Sequence, residues 1–411
     1  MGGSRSRARA GMFGAAAAVA VAVVAVLLVA RPWADGGTPP DREPTPALSV
    51  PTAPLSPDLA GRFVVVSFVV GDQEYVLDPD AGQYVAWRAL FSEVSAAPHL
   101  RLVARLGIGG LELGAPADGA GQNVSLPLAG GLAGPVRVVW SPDGALAATA
   151  VYSPDPDPAF PSFSRVAKAP GGVETGVAIT PLQPFRRVVV VDVAARTARV
   201  VSLRLPEGEF GAPGGSPVWL DAAHLAVPTM TVRTDGDDAV ITDAVSVFDL
   251  DGALVRQVPL AGVLDLAVPD GSLVGYGWEL IGVADSGEFL LLRSVDERTL
   301  QVAAVSDGGG ESRIATVALP APALGLIWVG QAATALGGSE VLVHAAQVLP
   351  AEPVEEPQRL VPEHTWLVVD LGTGEVDLSV GSSVPAGASR LGVGGAEWLA
   401  PTVASGLELF R

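Results

Sequence analysis

The chain has 411 residues, 49% of them hydrophobic, which is enough to bury a large core as one big all-β domain or two ordinary ones and excludes disorder throughout. Its 44 Asp and Glu outweigh 25 Lys and Arg, for a formal net charge of -19, so a nucleic-acid-binding face and docking on anionic headgroups are both disfavoured. The absence of cysteine removes disulfides, thiolate metal ligands, thiol nucleophiles and a lipid-modified Cys, leaving packing and sheet hydrogen bonds to provide stability.

Residues 1–11 carry Arg5, Arg7 and Arg9 and no acid. Residues 12–30, MFGAAAAVAVAVVAVLLVA, follow as an uncharged apolar run of 19 residues, long enough to cross a bilayer as a helix. The cationic flank predicts that residues 1–11 stay in the cytoplasm and that the rest of the chain lies outside it. A cleavable signal peptide is the rival reading, but its apolar region is usually shorter and ends in a small-x-small site, whereas Arg31 and Pro32 follow Ala30 here. Residues 31–60 are crowded with Pro, Thr, Ser and Asp and read as an extended spacer.

From Gly61 to Arg411, short Val- and Leu-rich runs alternate with Gly, Pro, Asp and Ser, and no long stretch has helical period. That pattern predicts strands throughout. A repeat organises them: an apolar strand ends in Asp, a turn follows, usually Gly-containing, and a second strand leaves. The marked acids are Asp78, Asp192, Asp249, Asp307 and Asp370, and their successive spacings are 114, 57, 58 and 63 residues. Because 114 is twice 57, one copy between the first two has lost its mark. A second motif precedes each such hairpin, best seen as Trp140-Ser141-Pro142-Asp143-Gly144, with echoes beginning at Val218, Gly282, Thr334 and Glu397. Pro at the second turn position and Gly at the fourth suit a type I turn whose exit needs positive φ. Two hairpins per repeat give a four-stranded sheet, the size of one propeller blade.

The WSPDG turn, followed tens of residues later by a strand ending in Asp, resembles the repeat of TolB-type β-propellers, and the likeness spans most of residues 61–411. Only Trp140 to Gly144 matches that family's turn in full. The resemblance implies a propeller of about six four-stranded blades, closed by strands from both termini because half-repeats stand at the two ends. It also implies protein binding in the cell envelope. Trp140, Trp219, Trp278, Trp328 and Trp398 fall about once per blade and are expected in inter-blade packing. A single lysine, Lys168, among abundant Ala, Val, Gly, Pro and Arg points to a high-GC, actinobacterial genome.

Candidate chemistry is sparse. His99, His224, His344 and His364 have no metal-ligand spacing, and no Gly-x-Ser-x-Gly elbow is present, so no catalytic, cofactor-binding or metal residue is assigned. Acid-rich turns at Asp155 and Asp157, at Asp235, Asp237 and Asp238, and at Asp249 and Asp251 lack the full calcium-loop spacing and read as solvated turns. The Asp at each strand end is expected to bond its own turn backbone. The Pro-rich insertion from Ser153 to Pro184, with Phe160, Phe163, Arg165 and Lys168, is the first candidate for a partner-contact loop, and 231–244 the second. The expectation is therefore a membrane-anchored, extracytoplasmic scaffold without cofactor that binds an envelope protein or glycan. The alternative is a propeller hydrolase or dehydrogenase with its site at the central channel.

Overall fold

The computed structural model describes most of residues 63–152 and 185–319, residues 327–348 apart from 338, residues 364–380 and 388–395, and the short pairs 167–168 and 174–175. The expected tail, anchor and spacer at 1–11, 12–30 and 31–60 lie outside them, and among the described residues no helix is long and apolar enough to cross a membrane. All described residues belong to one compact unit, Ala47–Arg411.

Apart from a single 3-10 turn, every described element is a strand, so the all-β expectation holds. In chain order, β1 (Phe63–Val70), β2 (Gln73–Asp78) and β3 (Gln83–Arg88) are followed by β4 (Val94–Ala96), β5 (Val103–Gly107), β6 (Gly110–Gly114) and β7 (Gln122–Val124). Next come β8 (Val139–Trp140), β9 (Leu146–Tyr152), the small hairpin β10 (Ala167–Lys168) and β11 (Glu174–Thr175), β12 (Phe185–Asp192) and β13 (Thr197–Ser202). The middle of the chain supplies β14 (Glu209–Gly211), β15 (Val218–Trp219), β16 (His224–Arg233), β17 (Ala239–Val240), β18 (Ala244–Asp249) and β19 (Leu254–Pro259). The rest are β20 (Glu279–Val283), β21 (Phe289–Asp296), β22 (Thr299–Val305), β23 (Ser312–Ala318), β24 (Ile327–Gly337), β25 (Glu340–Val348), β26 (His364–Asp370), β27 (Val376–Val380) and β28 (Ala388–Gly395).

Strands β4 to β7, β20 to β23 and β24 to β27 each form a four-stranded antiparallel sheet in sequence order. The path β8-β9-β12-β13 and the path β15-β16-β18-β19 have the same form, and β14 stitches them into a larger sheet by pairing with both β12 and β16. A further sheet has the order β28-β1-β2-β3, with Val65 opposite Val393 and Ser67 opposite both Val76 and Gly392. The ends of the chain therefore do share a sheet, but in a different proportion from the one expected. One C-terminal strand joins three from the N-terminal side, β1 takes the place assigned to a second C-terminal strand, and Trp398 to Phe410 lie outside the described residues.

The middle strands read as unbroken apolar runs because both of their faces are covered. Val188 to Val191 are all at most 3% exposed. One apolar cluster joins Leu111 and Leu113 of β6 to Ala148 of β9 and Val189 of β12; a second joins Val245 and Val247 to Phe289 and Leu291. A third joins Leu290 and Leu292 to Val341 and Val343, so the two faces of β21 serve two different neighbours. Fully burying each such side chain is worth about 1.5–3 kcal/mol. The sheets thus stack face to face.

At the other edge, the first strands of the sheets touch in series: β8 meets β15, β15 meets β20, β20 meets β24, β24 meets β28, and β28 meets β4. Trp140 Nε1 completes the circuit from β8 back to β4 by donating to Ser95 Oγ (3.1 Å), while Trp219 Nε1 donates to Val139 O (3.2 Å). These two tryptophans bridge sheets as expected. Trp278 also packs between sheets, in the cluster shared by β18 and β21, and its Nε1 donates to Asp265 O (2.9 Å). The most deeply buried tryptophans also include Trp87 and Trp366, to which the repeat gave no role.

Candidate functional site

The Asp residues that mark the repeat are turn braces. Asp78 Oδ1 accepts from Asp80 N, Asp192 Oδ1 from Ala195 N, and Asp249 Oδ1 from Asp251 N and Ala253 N. Asp370 accepts from Gly372 N (2.7 Å), Ser339 Oγ (2.5 Å) and Thr373 Oγ1 (3.0 Å), and these bonds, led by that from Ser339, hold its carboxyl below the usual range. Asp307 departs from the pattern. Its turn is closed by Ser306, whose carbonyl accepts from Gly309 N, and Asp307 reaches across to Arg256 of β19 at 2.7 Å.

The unmarked copy is the sheet β4 to β7. Its last turn holds Pro116–Asp118 in a 3-10 turn, where Asp118 Oδ2 accepts from Ala115 N (3.3 Å). Here the acid sits three residues after the braced backbone instead of before it, so a search for strand-ending Asp passes over it. The WSPDG turn behaves as predicted: Gly144 has φ +68°, its N–H donates to Ser141 O, and Asp143 Oδ1 accepts from Ser141 Oγ and Ala145 N.

Among the candidate residues, Phe160, Phe163 and Arg165 lie outside the described residues, as do Asp155, Asp157, Asp235, Asp237 and Asp238. Lys168 is placed by its backbone in the hairpin β10-β11, opposite Glu174. The neck of the second candidate loop is tied by Asp243, which accepts a hydrogen bond from Thr231 Oγ1. His344 is fully buried with its ring 4.5 Å from that of Trp366. His224 Nδ1 lies 2.8 Å from Asp221 Oδ2 across a hairpin turn. Burial raises the Asp221 carboxyl, but hydrogen bonds from His224 and Ala223 N outweigh it and leave it lowered. No group of three or more His, Cys, Asp or Glu that could hold a metal occurs among the described residues.

The arrangement that sequence reading missed sits on the circuit of first strands. Arg137 stands two residues before the start of β8, and its carbonyl accepts from Thr149 Oγ1 (3.1 Å). Glu279 opens β20, next to the buried Trp278. Both charged side chains are open to solvent. Yet protein surrounds Glu279 closely enough that desolvation lifts its carboxyl above the usual range, against the pull of the Arg137 charge. The opposite charge comes from a residue that leads into a first strand two sheets away. Nothing in the local sequence marks either residue, because their relation exists only once β8, β15 and β20 lie side by side.

No family model and no curated protein matches the chain. Solved structures do. An oligogalacturonate lyase from Vibrio parahaemolyticus is 10% identical over 81% of this chain and 84% of its own, with a TM-score of 0.42. An oligogalacturonate lyase in complex with manganese is 11% identical over 74% and 69%, with a TM-score of 0.39. The β-propeller domain of Vanderwaltozyma polyspora Nup133 is 9% identical over 79% and 76%, with a TM-score of 0.34. At such identities neither substrate nor metal carries over to this chain.

Proposed function

We propose that the chain is a six-bladed β-propeller of TolB-like type, held at the cell membrane by residues 12–30, and that it serves as an extracytoplasmic binding scaffold for an envelope protein or glycan. The observation that carries this reading is the circuit of first strands, sealed by the pairing of β28 with β1. A ring sealed in this way has no open inner edge and presents a rigid platform. Its polar side chains support the same reading, since the repeated Asp residues brace turns and His344 packs within a strand pair instead of converging on a reaction centre.

Within each sheet, the second strand ends where the first begins, so the long connections after β9 and β16 leave from the end of the sheets that carries Arg137 and Glu279. Loops carried by a rigid scaffold are a usual form of binding surface. Photo-crosslinking in cells from position 160 or 163 of the full-length chain tests this. One discrete envelope adduct, lost when 153–184 is replaced by a short Gly-Ser turn, is expected. Adducts that are diffuse, or that persist after the replacement, count against the scaffold.

A further inference from the structure

The seal of the ring is built differently on its two sides. On one side β1 pairs with β2, the next strand in sequence, and the ladder from Ser67–Val76 to Val70–Gln73 runs without a break. Tyr84 Oη donates to Val65 O (2.7 Å) and Phe68 stacks on Tyr75 at 5.3 Å, so β1 is fastened to its own sheet. On the other side β28 joins β1 from more than 300 residues away, and its ladder is broken twice. Val66 is an extra residue on β1 between the rungs Val65–Val393 and Ser67–Gly392, and Arg390 and Leu391 together then oppose Phe68 before the rung Val69–Ser389. Gly392, Gly394 and Gly395 all lie within β28, and glycine inside a strand weakens it through chain entropy and lost packing. Strand β28 also has no hairpin partner here, because β27 before it belongs to the sheet β24 to β27. Releasing β28 therefore breaks no turn within the closing sheet.

We propose that β28 is a detachable strap, released as a unit while the other described sheets stay folded, and that the edge of β1 it uncovers docks β28 of a second copy of this chain. The proposal rests on the ring described above. Elements of one protein open with very different free energies, and an irregular, glycine-rich strand held on a distant partner belongs to the low end. An open strand edge presents a row of backbone donors and acceptors that pairs readily with an extended segment. A second copy carries the segment already fitted to that edge. Exchange rebuilds every rung from Phe63–Gly395 to Val70–Ala388, both irregularities included, so the exchanged pair needs no contact that the single chain lacks. The interface is thus continuous with the seal itself.

The test mixes two single-cysteine populations of the full-length protein in detergent, V65C and V393C, whose positions are register partners in a chain without other cysteines. After incubation below the denaturant concentration of global unfolding, oxidation is expected to link the two populations by a disulfide. Mixing V65C with S389C, which are not partners, should lose that product, and V69C with S389C repeats the test at a second rung if V65C fails to fold. Hydrogen exchange of the native protein should release the amides of β28 ahead of those of β2. Ring closure is read separately by V65C and V393C combined in one chain, where an intramolecular disulfide should form and slow the exchange of β28. If that disulfide forms but the mixed populations do not link, or link equally at non-partner positions, or β28 exchanges no sooner than β2, the strap falls and the ring stands. If it does not form, ring and strap fall together.

Discussion

Two joints between neighbouring sheets do the same mechanical job with different chemistry. Where the turn after β18 rests on β13 and the residues after it, the contact is made to backbone carbonyls of the turn: Arg204 N donates to Gly252 O (2.9 Å), and Arg199 Nη1 donates to Leu250 O (2.6 Å). Gly252, at φ +77°, leaves no room for a Cβ against the Ser202 carbonyl. Where the closing sheet meets β4 to β6, Gly119 again lies on the preceding outer strand, but buried charges are added. Glu74 and Arg105, 1% and 2% exposed, form an ion pair extended by Glu112, and Glu74 Oε1 accepts from Val94 N (3.0 Å). Trp87 Nε1 donates to Pro116 O (2.9 Å) over the same joint. The first joint constrains backbone shape, and the second constrains charge.

Substitutions separate these constraints, and the largest effect belongs to neither joint but to the seal. Val69 pairs with Glu74 on one side and Ser389 on the other, so Val69→Pro cuts a ladder in the middle of the closing sheet. A loss of about 3 kcal/mol or more is expected, seen as loss of a single cooperative denaturant transition. Next, Glu74→Gln leaves Arg105 buried without its full countercharge and should cost about 3–5 kcal/mol, whereas the double change to Glu74→Met and Arg105→Met should cost less than the two single changes added together. A double-mutant cycle in urea measures both.

The backbone joint should yield the third effect. Gly252→Ala combines a positive φ with a collision, whereas Gly287→Ala has φ +83° and nothing within 4 Å of the added carbon. Strain alone is worth about 1 kcal/mol at Gly287, and Gly252→Ala should exceed twice that. Equal losses would mean that the turn after β18 does not bear on β13. The smallest effect is in the pH profile. Asp370 is held low by its turn bonds, so its share of stability is present above the ordinary carboxylate range and is lost as pH falls through its lowered value; Asp370→Asn should flatten that acid limb. Glu279 is raised, so it favours the folded state at low pH and loses that share as pH rises through its value. Glu279→Gln should remove a slope of opposite sign.

The sheet order was legible because turns with special φ leave a residue signature, as at Gly144, and because middle strands buried on both faces read as Val188 to Val191 do. The closing sheet was legible only as a mismatch between ends, since the partner of β1 lies more than 300 residues away and pairing over that distance has no local mark. Asp307 was misread for a related reason: a strand-ending Asp that braces a turn and one that ion-pairs with the preceding sheet look the same in sequence, and only Ser306 beside it separates them. Arg137 and Glu279 follow turn-rich stretches and belong to no motif. Their relation is set by three-dimensional closure, which periodicity does not encode.

The order of strands in the closing sheet also governs when the protein can finish folding. Strands β1 to β3 are made first and β28 is the last strand described, so one edge of the first sheet stays unpaired through synthesis of everything between them. Until β28 arrives, that edge is open to wrong partners. A chaperone that shields the nascent N-terminal strands should therefore raise the yield of native protein more than one that acts after release.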